Sequence, residues 1–149
     1  MAVVRGAAAS TPTEAEAVAA KLASEGVQDF VVKAQVLAGG RGKGHFMNGF
    51  QGGVHTCTSP VEVKDLSSKM IGQRLVTKQS GPEGKPCNVV YICERLYMRR
   101  EAYFAILMDR ATGGPLIVAS SKGGVDIEEV ARQYPSQIIK VPESLFLTF

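Results

Sequence analysis

The chain has 149 residues, 45% of them hydrophobic and 21% charged, with a formal net charge of +3. A chain of this length and ordinary globular composition excludes a disordered or fibrous protein, and no apolar run approaches the ~20 residues that cross a bilayer. Cys57, Cys87 and Cys93 are odd in number and lack finger spacing, so neither a disulfide framework nor a zinc site is expected, and the charge is too small to imply nucleic acid.

The opening stretch has one basic residue and no sustained apolar core, the form of neither a secretory signal nor a transit peptide. Thr11-Pro12-Thr13-Glu14 reads as a capping box with proline at the first helical position. Ala15, Val18, Ala19 and Leu22 follow at helical spacing, and Gly26 supplies a left-handed stop. A β-rich strand is predicted over Phe30–Leu37, running straight into a glycine loop. Ser59-Pro60-Val61-Glu62 repeats the capping logic and opens a second helix through about Met70, closed by Gly72. Strands are predicted at Leu75–Gln79, Val89–Arg95, Ala102–Asp109 and Leu116–Ser120, the last two forming a hairpin around Ala111-Thr112-Gly113-Gly114. A third helix is expected from Asp126 to about Gln133, and a final strand over Gln137–Val141. The order gives an α+β or mixed α/β class, not a clean alternation.

Glycine is unevenly placed. Residues 31–60 hold seven of the 16 glycines, both histidines, three basic residues and no acid. A glycine-rich, locally cationic window suggests an anion close to the backbone. Its sharpest part is Lys33 followed by Ala38-Gly39-Gly40-Arg41-Gly42-Lys43-Gly44. A P-loop fails here, because Leu37 stands where its first glycine belongs and Gly44 where Ser or Thr must follow the lysine. The dinucleotide fingerprint fails at His45 and Met47. Glycines still let consecutive N–H groups turn toward phosphate, with Arg41 and Lys43 adding charge. If Val31 and Gln35 share the face of Lys33, its ammonium stands on a partly covered surface beside the loop. A solvated lysine and a flexible turn are the bland alternative.

Glu94, Arg95, Arg99, Arg100 and Glu101 form a second polar cluster between β-rich segments. Such a linker would offer a backbone edge to a nucleobase and a carboxylate to ribose, but a charged loop between strands is the commoner explanation. His45 and His55 read as ordinary loop residues rather than a phosphohistidine or metal ligands. Asp109, Asp126, Glu128 and Glu129 read as surface carboxylates, the last three suited to a helix's first turn. Cys93 reads as a buried strand residue, with no histidine near it in sequence to make it a nucleophile. No catalytic residue and no metal ligand is assigned.

Taken together, residues 31–44, Gly-Gly-Val-His (52–55), Met-Ile-Gly (70–72), Leu-Val-Thr-Lys-Gln (75–79) and Gly-Gly-Val-Asp-Ile-Glu-Glu-Val-Ala (123–131) resemble the ATP-grasp region of the succinyl-CoA synthetase (succinate–CoA ligase) beta subunit. The resemblance runs from about Arg5 to Pro142. It implies a partial ATP-grasp fold of class α+β: a mixed sheet with helices plus a smaller antiparallel β subdomain. Residues 5–142 would form the nucleotide-binding domain and 143–149 a non-matching apolar tail.

The resemblance also implies site residues. Lys33 and Gly40-Arg41-Gly42 would bind nucleotide phosphates, Glu101 would contact ribose, and Ile92-Cys93-Glu94 would lie against the base. Bacterial members carry glutamate where this chain has Cys93, which leaves a backbone contact rather than a side-chain one. Cys93-Glu94-Arg95 and the following Arg-Arg-Glu look more like the ADP-forming mitochondrial type than the GDP-forming one. The implied cofactor is ATP or ADP, with GTP or GDP as the alternative.

The implied reaction converts succinate, coenzyme A and nucleoside triphosphate to succinyl-CoA, diphosphate and phosphate. It runs through a phosphohistidine on a partner alpha subunit. The implied compartment is the mitochondrial matrix, or the cytoplasm for a bacterial source. Against the family pattern, the chain is expected to lack the preceding strand-and-helix unit, the Asn and Asp that hold Mg²⁺, and the carboxy-terminal ligase domain. On that expectation the chain alone would be inactive. Alternative readings are a non-catalytic truncated product and a related ATP-grasp acyl-CoA ligase of the ATP-citrate lyase or malate–CoA ligase type.

Overall fold

The computed structural model describes residues 4–111, 113–123 and 127–142. The chain divides into two compact units, one through Tyr97 and one from Met98.

In the first unit, β1 (Gly6–Ala9) leads to α1 (Pro12–Ser24). The Thr11 hydroxyl caps α1 by accepting from the Glu14 N–H. The Glu14 carboxylate takes the Ser10 N–H at 2.8 Å, one residue before the cap, rather than closing the box on Thr11 itself. α2 (Pro60–Met70) repeats this device, with Ser59 as cap and the Glu62 carboxylate on the Thr58 N–H. Both helices therefore start where the sequence predicts.

β2 (Phe30–Ala34), β4 (Val54–Cys57) and β7 (Val90–Glu94) join β1 in an antiparallel sheet of order β1-β7-β2-β4. Alternation along β2 buries Phe30, Val32 and Ala34 and leaves Val31 and Lys33 half-covered on the other face. The buried face meets Ala15, Ala19 and Leu22 of α1 and Val63 and Met70 of α2, all in one core. Small residues at the helix contact, Ala15, Ala19 and Ser67, are fully buried. The Ser67 hydroxyl has no hydrogen-bond partner among the described residues.

A second, small sheet has the order β3-β5-β6, from β3 (His45–Phe46), β5 (Gln73–Val76) and β6 (Lys85–Cys87). Pro86 lies in β6, an edge strand, where a missing N–H is tolerated.

The second unit pairs β8 (Tyr103–Asp109) with β9 (Gly114–Ser120) and β9 with β10 (Ile138–Pro142), all antiparallel. α3 covers Ile127–Gln133. Its predicted start at Asp126, the Thr112 of the predicted turn and the 143–149 tail lie outside the described residues.

Several expectations shift. The strand expected to reach Leu37 ends at Ala34, and Leu37 is 97% exposed. The strand expected to reach Gln79 ends at Val76, because the Thr77 hydroxyl accepts from the N–H groups of Gln79 and Ser80 and turns the chain. β1, β3, β4 and β6 were not predicted. β1, Gly-Ala-Ala-Ala, has no intrinsic strand preference and forms by pairing with β7.

Candidate functional site

Lys33 is the fourth of the five residues of β2, on the face of the sheet turned away from α1 and α2. It lies directly opposite Tyr91 on β7 and Val54 on β4, and diagonal to Cys93. Cys93 is 1% exposed, and its burial pushes the thiol up while the neighbouring Lys33 ammonium works against that shift. Lysine carries its charge on a flexible four-carbon stem, so from this position the ammonium can swing over the face near the end of β2.

The glycine loop begins where β2 ends. The Arg41 guanidinium donates to the Ala34 carbonyl at 2.7 Å, folding the loop back to within one residue of Lys33. Gly53 braces the same point from the other side. Its N–H donates to the Arg41 carbonyl at 2.8 Å, and its carbonyl accepts from the Ala34 N–H at 2.8 Å. A third tie comes from Gln79, whose side-chain oxygen accepts from the Gly39 N–H at 2.7 Å.

Gly40 is left-handed, with φ 70° and ψ 19°, and Arg41–Lys43 continue as a right-handed 3-10 turn. A left-handed residue followed by a right-handed one turns three successive N–H groups to one side, a nest that suits an anion. Those groups belong to Gly40, Arg41 and Gly42, and no acceptor among the described residues takes them. The N–H of Lys43 is spent on the Gly40 carbonyl and that of Gly44 on the Arg41 carbonyl. The structure thus brings Lys33 and Gly40-Arg41-Gly42 together at one end of β2.

Cys93 and Glu94 close β7 within a ladder between β1 and β2. The Glu94 carboxylate is held by Arg5: Nη2 at 2.6 Å, Nε at 2.9 Å and the backbone N–H at 3.1 Å. These bonds keep its carboxyl below the ordinary range. The Glu94 N–H donates to the Arg5 carbonyl at 3.0 Å, and that of Arg95 to the Asp29 carbonyl at 2.9 Å. Just beyond, Arg95 stacks on the Tyr97 ring and the Tyr97 hydroxyl donates to Asp29.

Glu101 belongs to the second unit, two residues before β8. It is exposed, and its carbonyl accepts from the Gly123 N–H at 3.0 Å.

His45 and His55 lie on short strands, not in loops. The His55 ring stacks on Phe50 with centroids 4.7 Å apart, and its Nε2 lies 2.8 Å from the Gly52 carbonyl. The three cysteines are free and buried, with burial pushing Cys57 up to about 11.

Sequence reasoning missed Gln79, Gly53 and Arg5. A glycine pair before a strand was the available signal for Gly53; the other two had none.

The profile of the ATP-grasp domain family matches residues 1–145. This chain belongs to the ATP-grasp family. It is 59% identical over 141 residues to the hydrogenosomal succinate–CoA ligase [ADP-forming] subunit beta of Neocallimastix frontalis, covering 95% of this chain and 32% of that protein. Against the mitochondrial subunit of Dictyostelium discoideum the identity is 56% over 142 residues, covering 95% and 31%. Against that of Schizosaccharomyces pombe it is 57% over 138 residues, covering 93% and 31%. The chain spans about a third of the length of the curated relatives it matches. The α+β architecture, with helices on one face of an antiparallel sheet and a second antiparallel unit, is that of a partial ATP-grasp fold. Among the described residues no helix is long and apolar enough to cross a membrane.

Proposed function

We propose that this chain is the nucleotide-binding portion of an ADP-forming succinate–CoA ligase beta subunit. The observation that carries the reading is the nest of three unclaimed N–H groups at Gly40, Arg41 and Gly42, fastened beside Lys33. Neutral donors fixed before the ligand arrives, with one mobile ammonium alongside, suit a triphosphate chain: the donors need no reorganisation and the lysine adds charge.

Glu101 receives the ribose hydroxyls, since a carboxylate accepts from both. Cys93 and Glu94 lie beside the base at the end of β7, with the Glu94 N–H already spent on the Arg5 carbonyl. The Glu94 carboxylate is given no part in binding, because Arg5 occupies it. ATP or ADP is the nucleotide, on the likeness to ADP-forming relatives.

The whole reaction would form succinyl-CoA from succinate, coenzyme A and ATP, with an alpha subunit supplying the phosphohistidine. Relatives named mitochondrial and hydrogenosomal support an organellar matrix, the mitochondrial one by the ADP-forming resemblance. Mg²⁺, when bound, would neutralise charge on the transferring phosphoryl group. No residue of this chain is assigned to it.

Calorimetric titration with ATP tests the reading. Lys33→Ala removes a charge-assisted contact of about 1.5–3 kcal/mol, which lowers affinity roughly ten- to a hundredfold. Unchanged affinity in that variant overturns the phosphate assignment.

A further inference from the structure

We propose that Gly123 is a positioning residue that aims the Glu101 carboxylate at ribose, an inference that rests on the Glu101 assignment above. The β8–β9 ladder is regular up to the Tyr103–Ser120 pair. Past that pair the strands do not part. The Ser120 side chain, 3% exposed, accepts the Lys122 N–H at 3.1 Å and bends the chain. The bend returns Gly123 over Glu101, whose carbonyl takes the Gly123 N–H at 3.0 Å.

The contact leaves no room for a side chain. A Cβ at Gly123 would stand 2.6 Å from the Glu101 carbonyl carbon, 2.7 Å from Glu101 Cγ and 2.8 Å from the Ala102 nitrogen. Two of those three atoms are main chain, so no rotamer change relieves the overlap. Gly123 is not among the glycines with positive φ, so what it supplies is space and not an unusual conformation.

The third atom gives the contact its consequence. Cγ carries the carboxyl group, so whatever presses on it redirects the carboxylate. What Gly123 confines is the stem of the side chain at Cγ, and through it the region in which the carboxylate can turn. An added methyl must shift the main chain, the carboxylate, or both.

The test uses the whole chain and two nucleotides, ATP and 2′,3′-dideoxy-ATP, with inorganic triphosphate as a probe of the phosphate loop alone. The wild-type chain should favour ATP by about tenfold or more, the effect of hydrogen bonds to a charged group. Glu101→Ala and Gly123→Ala should both bring the ratio near one while leaving triphosphate affinity unchanged. Ser120→Ala, which loosens the bend but keeps the space, should give an intermediate ratio. It decides the matter if Gly123→Ala does not melt cooperatively: a full wild-type ratio in Ser120→Ala then overturns the proposal. A ratio lost in Glu101→Ala but kept in Gly123→Ala overturns the role of Gly123 and leaves that of Glu101 standing. No preference in the wild type, or none lost in Glu101→Ala, overturns the ribose assignment and this inference with it.

Discussion

Gly40 gives the sharpest handle on the proposed phosphate loop, because its two constraints separate. A Cβ there would meet nothing within 4 Å, so alanine has space. What alanine lacks is ease at φ 70°, where an L side chain costs roughly 1–2 kcal/mol. The loop has two responses. It can keep the left-handed turn and carry the strain, or relax it and let the three N–H groups diverge. In the free protein relaxation is the easier course, since none of Leu37 to Lys43 is a core residue. The penalty then falls on binding, where the nest must re-form, and 1–2 kcal/mol is about a 5- to 30-fold loss of affinity. Asparagine tolerates the left-handed region better than alanine does. The expected order of triphosphate affinity is therefore glycine, then Gly40→Asn, then Gly40→Ala, with melting temperatures nearly equal. Calorimetry with inorganic triphosphate at fixed low salt reads the first quantity, and a thermal melt the second. Equal binding by Gly40→Ala would falsify the nest as the anion site. Equal losses in both variants would show that something other than handedness is at work.

Two further outcomes concern stability. Ser67→Ala removes a buried hydroxyl that has no partner, and should stabilise the first unit by about 1 kcal/mol; a lowered melting temperature would contradict that. Glu14, Glu62 and Glu94 are all held below the ordinary carboxyl range: the first two by backbone N–H groups, Glu94 first by the Arg5 side chain. A carboxyl depressed in the folded state contributes stability that is complete above its unfolded value, about 4.3 for glutamate, and that is lost as pH falls through the folded value. Melting temperature should thus decline on acidification below that point, and less steeply in Glu94→Gln; identical acid limbs would argue against the Arg5 contact.

What could be read from the sequence was what local chemistry dictates. Thr11-Pro12 and Ser59-Pro60 fix helix starts because cap and proline act within one turn, and both helices begin there. The face of Lys33 was legible because a strand has a period of two. The glycine loop was legible as an anion candidate because glycines free N–H groups to turn outward and Arg41 and Lys43 add charge, although a flexible turn fits the same composition. The rest depends on partners distant in sequence. Gly6–Ala9 is a strand only because β7 pairs with it, more than 80 residues on. Gln79 reaches Gly39 across 40 residues, and Arg5 reaches Glu94 across 89. The Glu101–Gly123 approach likewise comes from a hairpin return, which no local pattern announces.

The same distinction changes how the charges of the site should be counted. From composition, Arg41 reads as a phosphate ligand and Glu94 as a polar group open to a nucleoside. In the fold, Arg41 spends a donor on the Ala34 carbonyl, and Glu94 spends both oxygens on Arg5. Neither use is incidental. A carbonyl at the end of β2 needs a partner once the strand stops, and the guanidinium has five donors, so it can serve as a fastener and still direct charge outward. Anchoring also fixes where that charge sits, which a solvated arginine could not do. Glu94 differs, since its two oxygens are both engaged and Arg5 also ties the end of α1 through the Glu25 carbonyl at 3.2 Å. It joins strand β1, strand β7 and helix α1, and a nucleoside would have to displace Arg5 to reach it. On the proposed reading the first unit offers an anion Lys33, Lys43 in the loop itself, the anchored Arg41 and three backbone N–H groups. The neutral donors, invisible to any count of charged residues, are the part whose geometry the loop is built to hold.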